Sequence, residues 1–181
     1  WIHEVKHDGY RCQVLLERGQ ARVFTRNGHD WTERYPSFVR AAFNLRCKAA
    51  IIDGEAIVQN GDGASDFQAL GIALRQRPHS IILYAFDLLH LDGKDLRQQT
   101  LSERRANLKA LIGTDGQSRI QFSDEFEGSG AALFKACAER ALEGTVSKHA
   151  LAPYRSGRSK TWLKTKCFTE ATFVVVGMDH R

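Results

Sequence analysis

Long apolar runs are missing from this chain of 181 residues. The longest, Ile81-Ile82-Leu83-Tyr84-Ala85-Phe86, falls far short of the roughly 18 residues a membrane span needs, so no transmembrane helix is expected. Paired cysteines are missing too. Cys12, Cys47, Cys137 and Cys167 are scattered, form no CxxC pair and have no histidine at zinc-ligand spacing. That excludes a disulfide framework and a structural zinc site, and points to reduced thiols in a cytosolic protein. Internal repeats and low-complexity segments are absent. No charged n-region or apolar h-region follows Trp1, so no signal peptide is expected. The numbering is expected to begin inside a longer gene product.

The chain does have enough apolar residues, 43%, to bury a core, and enough length for one main domain with a fragment of a second. Its 26 Lys and Arg against 21 Asp and Glu leave a formal charge of +5. That is modest, so distribution matters more than the sum. Six basic residues, Lys148, Arg155, Arg158, Lys160, Lys164 and Lys166, fall in one stretch without a single acid. On charge alone this is equally a solvated loop and a surface for a polyanion.

Hydrophobic periodicity organises the chain. Residues 12–17 and 21–25 read as a hairpin around Gly19. Residues 35–46 carry apolar side chains at helical spacing. Residues 49–58 read as a strand interrupted by Asp53-Gly54-Glu55, and Gly61-Asp62-Gly63 as a turn. A helix capped by Ser65 is expected to reach Arg77. Ile81 to Leu91 reads as a buried strand ending at the Asp92-Gly93 turn. Thr100-Leu101-Ser102-Glu103 is a capping-box pattern heading a helix to about Ile112. A short strand at 119–122, a helix over 129–142, and strands at 145–148, 161–166 and 171–176 complete the pattern. Strands do not alternate regularly with helices, which favours an α+β fold of mostly antiparallel sheets flanked by helices.

Several short strings interrupt this pattern with polar residues. Lys6-His7-Asp8-Gly9-Tyr10-Arg11 stands near the start. Thr25-Arg26-Asn27-Gly28 follows a strand, Asp53-Gly54-Glu55 breaks another, and Phe86-Asp87 sits in the buried one. Glu143-Gly144 opens a strand ending at Lys148, and Trp162-Leu163-Lys164-Thr165-Lys166 closes the set. Each alone has a bland reading as a turn, a core aromatic or a wet strand face.

In this order and spacing the strings resemble the covalent nucleotidyltransferase superfamily of ATP-dependent DNA ligases, RNA ligases and mRNA capping enzymes, over residues 1–170. Trp1 through Arg11, Phe86-Asp87-Leu88-Leu89 and Tyr154-Arg155-Ser156-Gly157-Arg158 resemble the bacterial ligase D type of end-joining DNA ligase. The resemblance implies an ATP-grasp-like catalytic core and three steps. A lysine takes AMP from ATP, AMP moves to the 5′-phosphate of a nicked DNA strand, and the 3′-hydroxyl then displaces it.

Lys6 matches the nucleophile. A lysine nucleophile must be neutral, and an unperturbed amine with a pKa near ~10.4 makes that cost about 4.6 kcal/mol at pH 7. Nearby cations lower such a cost. Lys164 and Lys166, two apart and so on one strand face, match the α-phosphate contacts and would supply that field. Glu143 matches the acidic metal residue for Mg²⁺ or Mn²⁺. Glu55 matches a ribose contact that lies near a metal in some members. Lys6, Lys166 and Glu143 are the implied catalytic set. Arg11 and Arg26 match ribose and phosphate contacts, Phe86 an adenine-stacking ring, Glu4 a reader of the adenine amino edge, and Lys148 a residue near base and ribose. Asp8 and Gly9 are read as shaping the turn, and His7 as structural.

The resemblance also implies that residues 171–181 open an OB-fold domain whose basic residues orient pyrophosphate. The chain alone is therefore expected to bind ATP weakly, adenylate Lys6 slowly and seal nicks poorly. It is expected to keep salt-sensitive binding to nicked double-stranded DNA without base preference. Polymerase and phosphoesterase domains elsewhere, no membrane contact and a bacterial cytoplasmic, nucleoid-associated location follow from the same resemblance. RNA ligase, RNA-capping guanylyltransferase and non-catalytic nucleic-acid-binding module remain as alternatives.

Overall fold

The computed structural model describes residues 1–113, 116–157, 159–167, 174 and 177. Two sheets face one another. The larger contains β2 (Tyr10–Glu17), β3 (Gln20–Thr25), β4 (Ala49–Ile57), β5 (Ile82–Leu91) and β6 (Lys94–Asp95), in the order β3-β2-β4-β5-β6, with β7 (Ile120–Phe122) also on β5. The smaller has the order β1-β8-β9, formed by β1 (Ile2–Val5), β8 (Gly144–Lys148) and β9 (Trp162–Lys166). All pairings are antiparallel except β5 with β7. The α+β expectation therefore holds among the described residues.

Four helices flank the sheets: α1 (Pro36–Phe43), α2 (Phe67–Gln76), α3 (Leu101–Ile112) and α4 (Gly130–Glu139). The core collects inward positions of the larger sheet, Val14, Ile52, Leu83 and Leu88, with Tyr35, Phe38 and Leu70 from the helix side. Thr100 caps α3 with both halves of the predicted box in place. No helix among the described residues is long and apolar enough to cross a membrane.

Four expectations change. β4 is continuous through Asp53-Gly54-Glu55, its irregularity taken up by register shifts against β5 at Ile51/Ile52 and Asp53/Gly54. Asp66 rather than Ser65 caps α2, accepting the Ala69 N–H at 2.8 Å, while Ser65 Oγ accepts the Asp8 N–H. β1 forms where no strand was expected, because an acid, Glu4, occupies one of its two inward positions and hides the alternation. The two-residue β6 is a further strand the pattern did not show. Apart from residues 174 and 177, the expected strand at 171–176 and the OB-fold opening at 171–181 lie outside the described residues, as does Arg158.

Candidate active site

The strand pairing dictates where the polar strings meet. β1 ends at Val5, and the next N–H, that of Lys6, donates to the Gly144 carbonyl at 2.9 Å. The chain then turns through His7-Asp8-Gly9 into β2. A Cβ at Gly9 would stand 2.2 Å from the Ala56 carbonyl oxygen, so only glycine lets this turn press onto β4. The turn leaves Lys6 and Arg11 projecting into a slot between the sheets. Glu4, Val146, Lys148, Trp162 and Lys164 line it from the smaller sheet, and Arg11, Glu55 and Phe86 from the larger.

At one end of the slot Lys6 Nζ is ion-paired with Glu143 Oε2, and Lys166 Nζ lies 3.3 Å from Glu143 Oε1. One carboxylate thus holds two amines. Lys164 belongs to the same cluster: burial lowers its pKa, the Lys6 charge lowers it further, and Glu55 opposes both. Burial pushes Glu55 up to about 7 against the pull of Lys164, Lys6 and Arg11. The three lysines, with Arg11, make this end a site for a polyanion.

The other end is built around Glu4, which is 2% exposed. Its Oε1 accepts from Lys148 Nζ at 2.7 Å and from Arg105 Nη1 at 2.8 Å, and its Oε2 from Ser123 Oγ at 3.0 Å. The Lys148 ammonium sits 4.3 Å from the Phe86 ring centroid and 4.4 Å from that of Trp162. Burial lowers the Lys148 pKa, and Glu4 offsets only part of that fall. A planar, partly apolar ligand with a polar edge suits this end. His7 lines the slot too, stacked on Tyr84 with centroids 4.5 Å apart, and burial lowers its pKa to about 4.

Arg11 is held from beneath. Asp53, fully buried, accepts from its Nε at 3.0 Å and Nη2 at 2.6 Å. Tyr154 donates its hydroxyl to the same Asp53 at 3.2 Å. Burial works against the Arg11 charge, but the Asp53 hydrogen bonds and the Asp53 charge together outweigh it and raise the pKa. Arg26 stands outside the slot. It lines an adjoining groove with Arg11, Arg155, Ser159, Thr161 and Lys164. The late basic tract and the first hairpin therefore meet along one channel.

The structure gathers Glu4, Lys6, Arg11, Glu55, Phe86, Lys148 and Lys164 in one slot, with Glu143 and Lys166 bonded at its end and Arg26 next door. Sequence reasoning placed Asp53 and Tyr154 in its strings without a role, and missed Arg104, Arg105 and Ser123. The available signal was Asp87 within an apolar run, since a buried carboxylate needs a cation. Arg104 supplies it through Nε at 2.7 Å and Nη2 at 2.9 Å.

No group of three or more His, Cys, Asp or Glu that would cage a metal occurs among the described residues. Glu143, beside two phosphate-suited lysines, nevertheless fits Mg²⁺, which binds through one or two carboxylates plus phosphate oxygens and keeps several waters. Glu55 is the second carboxylate of the slot.

Residues 1–166 match the family model described as ATP dependent DNA ligase domain. The chain is 40% identical over 178 residues to the multifunctional non-homologous end joining protein LigD of Pseudomonas aeruginosa, covering 98% of this chain and 21% of that protein. It is 34% identical over 183 residues to the DNA ligase of Natronomonas pharaonis, covering 96% and 33% respectively. A structure of mycobacterial DNA ligase D complexed with ATP and MES superposes with a TM-score of 0.80 at 29% identity, over 93% of this chain and 55% of that one. An archaeal ATP-dependent RNA ligase, at a TM-score of 0.55 and 19% identity, shares the fold. The chain spans about a fifth to a third of the length of the two relatives.

Proposed function

This chain belongs to the ATP-dependent DNA ligase domain family, and from that premise we propose that it is the adenylation domain of an end-joining ligase, with Lys6 as the residue that carries AMP. The observation that carries the reading is the amine–carboxylate cluster of Lys6, Glu143 and Lys166 opening into a slot whose far end offers an aromatic ring and a buried acceptor.

ATP enters with its base toward Phe86 and Glu4, its ribose beside Glu55 and Arg11, and its phosphates among Lys6, Lys164 and Lys166. Lys6 Nζ bonds to the α-phosphorus as the bond to pyrophosphate breaks. The proton that must leave Lys6 has the Glu143 carboxylate as its bonded partner. Lys164 and Lys166 meet the charge of the α-phosphate and the departing pyrophosphate without having to reorganise. Glu143 and Glu55 are the residues that would hold Mg²⁺, and a bound ion would supply further charge neutralisation at those oxygens.

The second substrate is nicked duplex DNA. The groove of Arg26, Arg155 and Lys164 supports this, because a basic channel joined to the slot suits a phosphate backbone and reads no base. The chain covers 21% and 23% of two multifunctional LigD relatives, which supports further domains beside it; we propose a downstream OB-fold domain, polymerase and phosphoesterase domains, and a bacterial cytoplasmic, nucleoid-associated location.

Intact mass after incubation with ATP and Mg²⁺ tests the reading, on wild type and Lys6→Ala, each with the downstream domain included. A gain of one AMP on wild type alone is the expected result. Absence of that gain from wild type refutes the reading.

A further inference from the structure

Two adjacent arginines of α3, which the adenylation chemistry does not use, sit under the slot. Adjacent helical residues point about 100° apart, so one is ordinarily exposed. Here Arg104 is fully buried and Arg105 is 4% exposed, because Arg104 turns to the larger sheet and Arg105 bridges the larger and smaller sheets. Arg104 binds Asp87 on β5 of the larger sheet, and also donates to the Gln99 carbonyl at 2.7 Å. Arg105 reaches Glu4 on β1 of the smaller sheet at 2.8 Å. Its Nη2 donates to the Ser123 carbonyl at 2.8 Å, and its guanidinium packs 4.6 Å from the Phe122 ring centroid. Ser123 is itself buried, and it is anchored to the larger sheet by its N–H to the Ala85 carbonyl at 2.8 Å.

The consequence falls on Glu4. A carboxylate offers about four acceptor positions. Three are filled: two on Oε1 by Lys148 and Arg105, one on Oε2 by Ser123. The carboxylate cannot swing, since each oxygen is tied to a different element. Glu4 lines the slot, so its remaining capacity on Oε2 is an acceptor aimed by its neighbours. A fixed anionic acceptor favours a base edge that carries an exocyclic amine and repels one that carries a carbonyl oxygen.

We propose that Arg105 and Ser123 are positioning residues that lock the Glu4 carboxylate in place to select a purine with a 6-amino group. This rests on the reading that the slot takes ATP. It assigns base selection to a helix and a strand end outside the strings that resemble the ligase motifs. Arg105 acts through Glu4, and Ser123, which also lines the slot, spends its hydroxyl on the Glu4 carboxylate; neither bonds to Lys6. They therefore set nucleotide KM and base preference, and leave kcat and its pH profile alone.

The test compares ATP with purine riboside triphosphate, which lacks the 6-amino group, and with GTP. AMP or analogue transfer to Lys6 is followed by intact mass on the chain with its downstream domain. Wild type is expected to favour ATP over the 6-hydrogen analogue about tenfold or more, the scale of a hydrogen bond to a charged group. Ser123→Ala and Arg105→Lys are expected to shrink that ratio about threefold or more by raising KM for ATP. A merely structural role would slow both nucleotides equally and leave the ratio unchanged. Folded Ser123→Ala and Arg105→Lys variants with the wild-type ratio overturn the proposal while leaving the adenylation reading intact. Wild type that forms no adduct with any nucleotide overturns both. If Arg105→Lys does not fold, Ser123→Ala, which removes only a hydroxyl, decides alone.

Discussion

Replacing Arg104 by Met tests whether the platform beneath the slot is an ion pair or merely packing. Met keeps most of the apolar stem and removes the fork. Both partners are 0% exposed, so Asp87 would be left as a buried carboxylate with no cation bonded to it. Removing one partner of a buried pair costs about 3–5 kcal/mol, a large share of the ~5–15 kcal/mol that holds a domain folded. The Gln99 carbonyl loses its donor in the same step. The loss also carries a pH signature. In the wild-type chain burial pushes the Asp87 pKa up while Arg104 pulls it down. Burial already prevails in the wild type, and without Arg104 the folded pKa rises further above the unfolded value. Such a group binds protons more tightly when folded, so stability falls as pH rises between the two values. The deficit of Arg104→Met is therefore smallest near pH 4–5 and grows toward pH 7. Urea denaturation at several pH values measures it. In a double-mutant cycle with Asp87→Val, the double variant should lose less than the two singles together by about 2 kcal/mol or more, since an apolar pair leaves no stranded charge. A loss under about 1 kcal/mol at pH 7 for Arg104→Met, or a loss that does not change with pH, would refute the reasoning.

Gly144→Ala should be more damaging than its chemistry suggests. φ there is +145°, and the new Cβ would meet the Thr165 carbonyl oxygen at 2.0 Å and the Lys166 Cα at 2.8 Å, both backbone. Parting of β8 from β9 should cost about 3 kcal/mol or more and displace Lys166 from Glu143, read as a lower Tm and lost AMP transfer; an unchanged Tm refutes this. Tyr154→Phe deletes one hydroxyl hydrogen bond to Asp53, so a drop of about 1 kcal/mol in urea stability with a small rise in ATP KM is expected, and no drop at all counts against the latch. His7, with a folded pKa near 4 against 6.5, resists the proton that the unfolded chain accepts, so acid weakens the fold below pH ~6.5. His7→Phe, which keeps a ring on Tyr84, should lessen the loss between pH 7 and pH 5 by about 1–2 kcal/mol, and an equal loss in both chains would sink the assignment.

Much of the fold was legible because its strands and helices follow simple periods. β2, β3 and β5 alternate or run apolar, and the capping box marks the head of α3. Legibility failed where local signal and tertiary role diverge. β1 puts Ile2 and Glu4 inward, so an inward charge breaks the expected pattern. β4 carries Asp-Gly-Glu without turning, because Asp53 is compensated from β2 by Arg11 and from the β8–β9 connection by Tyr154. Nothing local to residues 49–57 reveals those partners, which lie 42 and 101 positions away along the chain.

The site divides the same way. Lys6, Glu143, Lys164 and Lys166 stand in compact strings at or beside strand ends, and strand register places them together. The groups that hold those strings are dispersed. Arg104 and Arg105 sit side by side on a helix, where two charges ordinarily mean a wet face. They are buried only because Asp87 and Glu4 descend from separate sheets to meet them. A buried acid in a predicted strand is thus the more informative signal, because its desolvation cost demands a cation from somewhere. Asp53, Asp87 and Glu4 each lie buried on a strand, and each is paired with a different arginine: Arg11, Arg104 and Arg105. Three acids and three arginines make the floor on which the lysine cluster stands. The string around Lys6 therefore holds only Glu4 and Arg11 of that floor, and the arginines of α3 that complete it lie about a hundred positions along the chain.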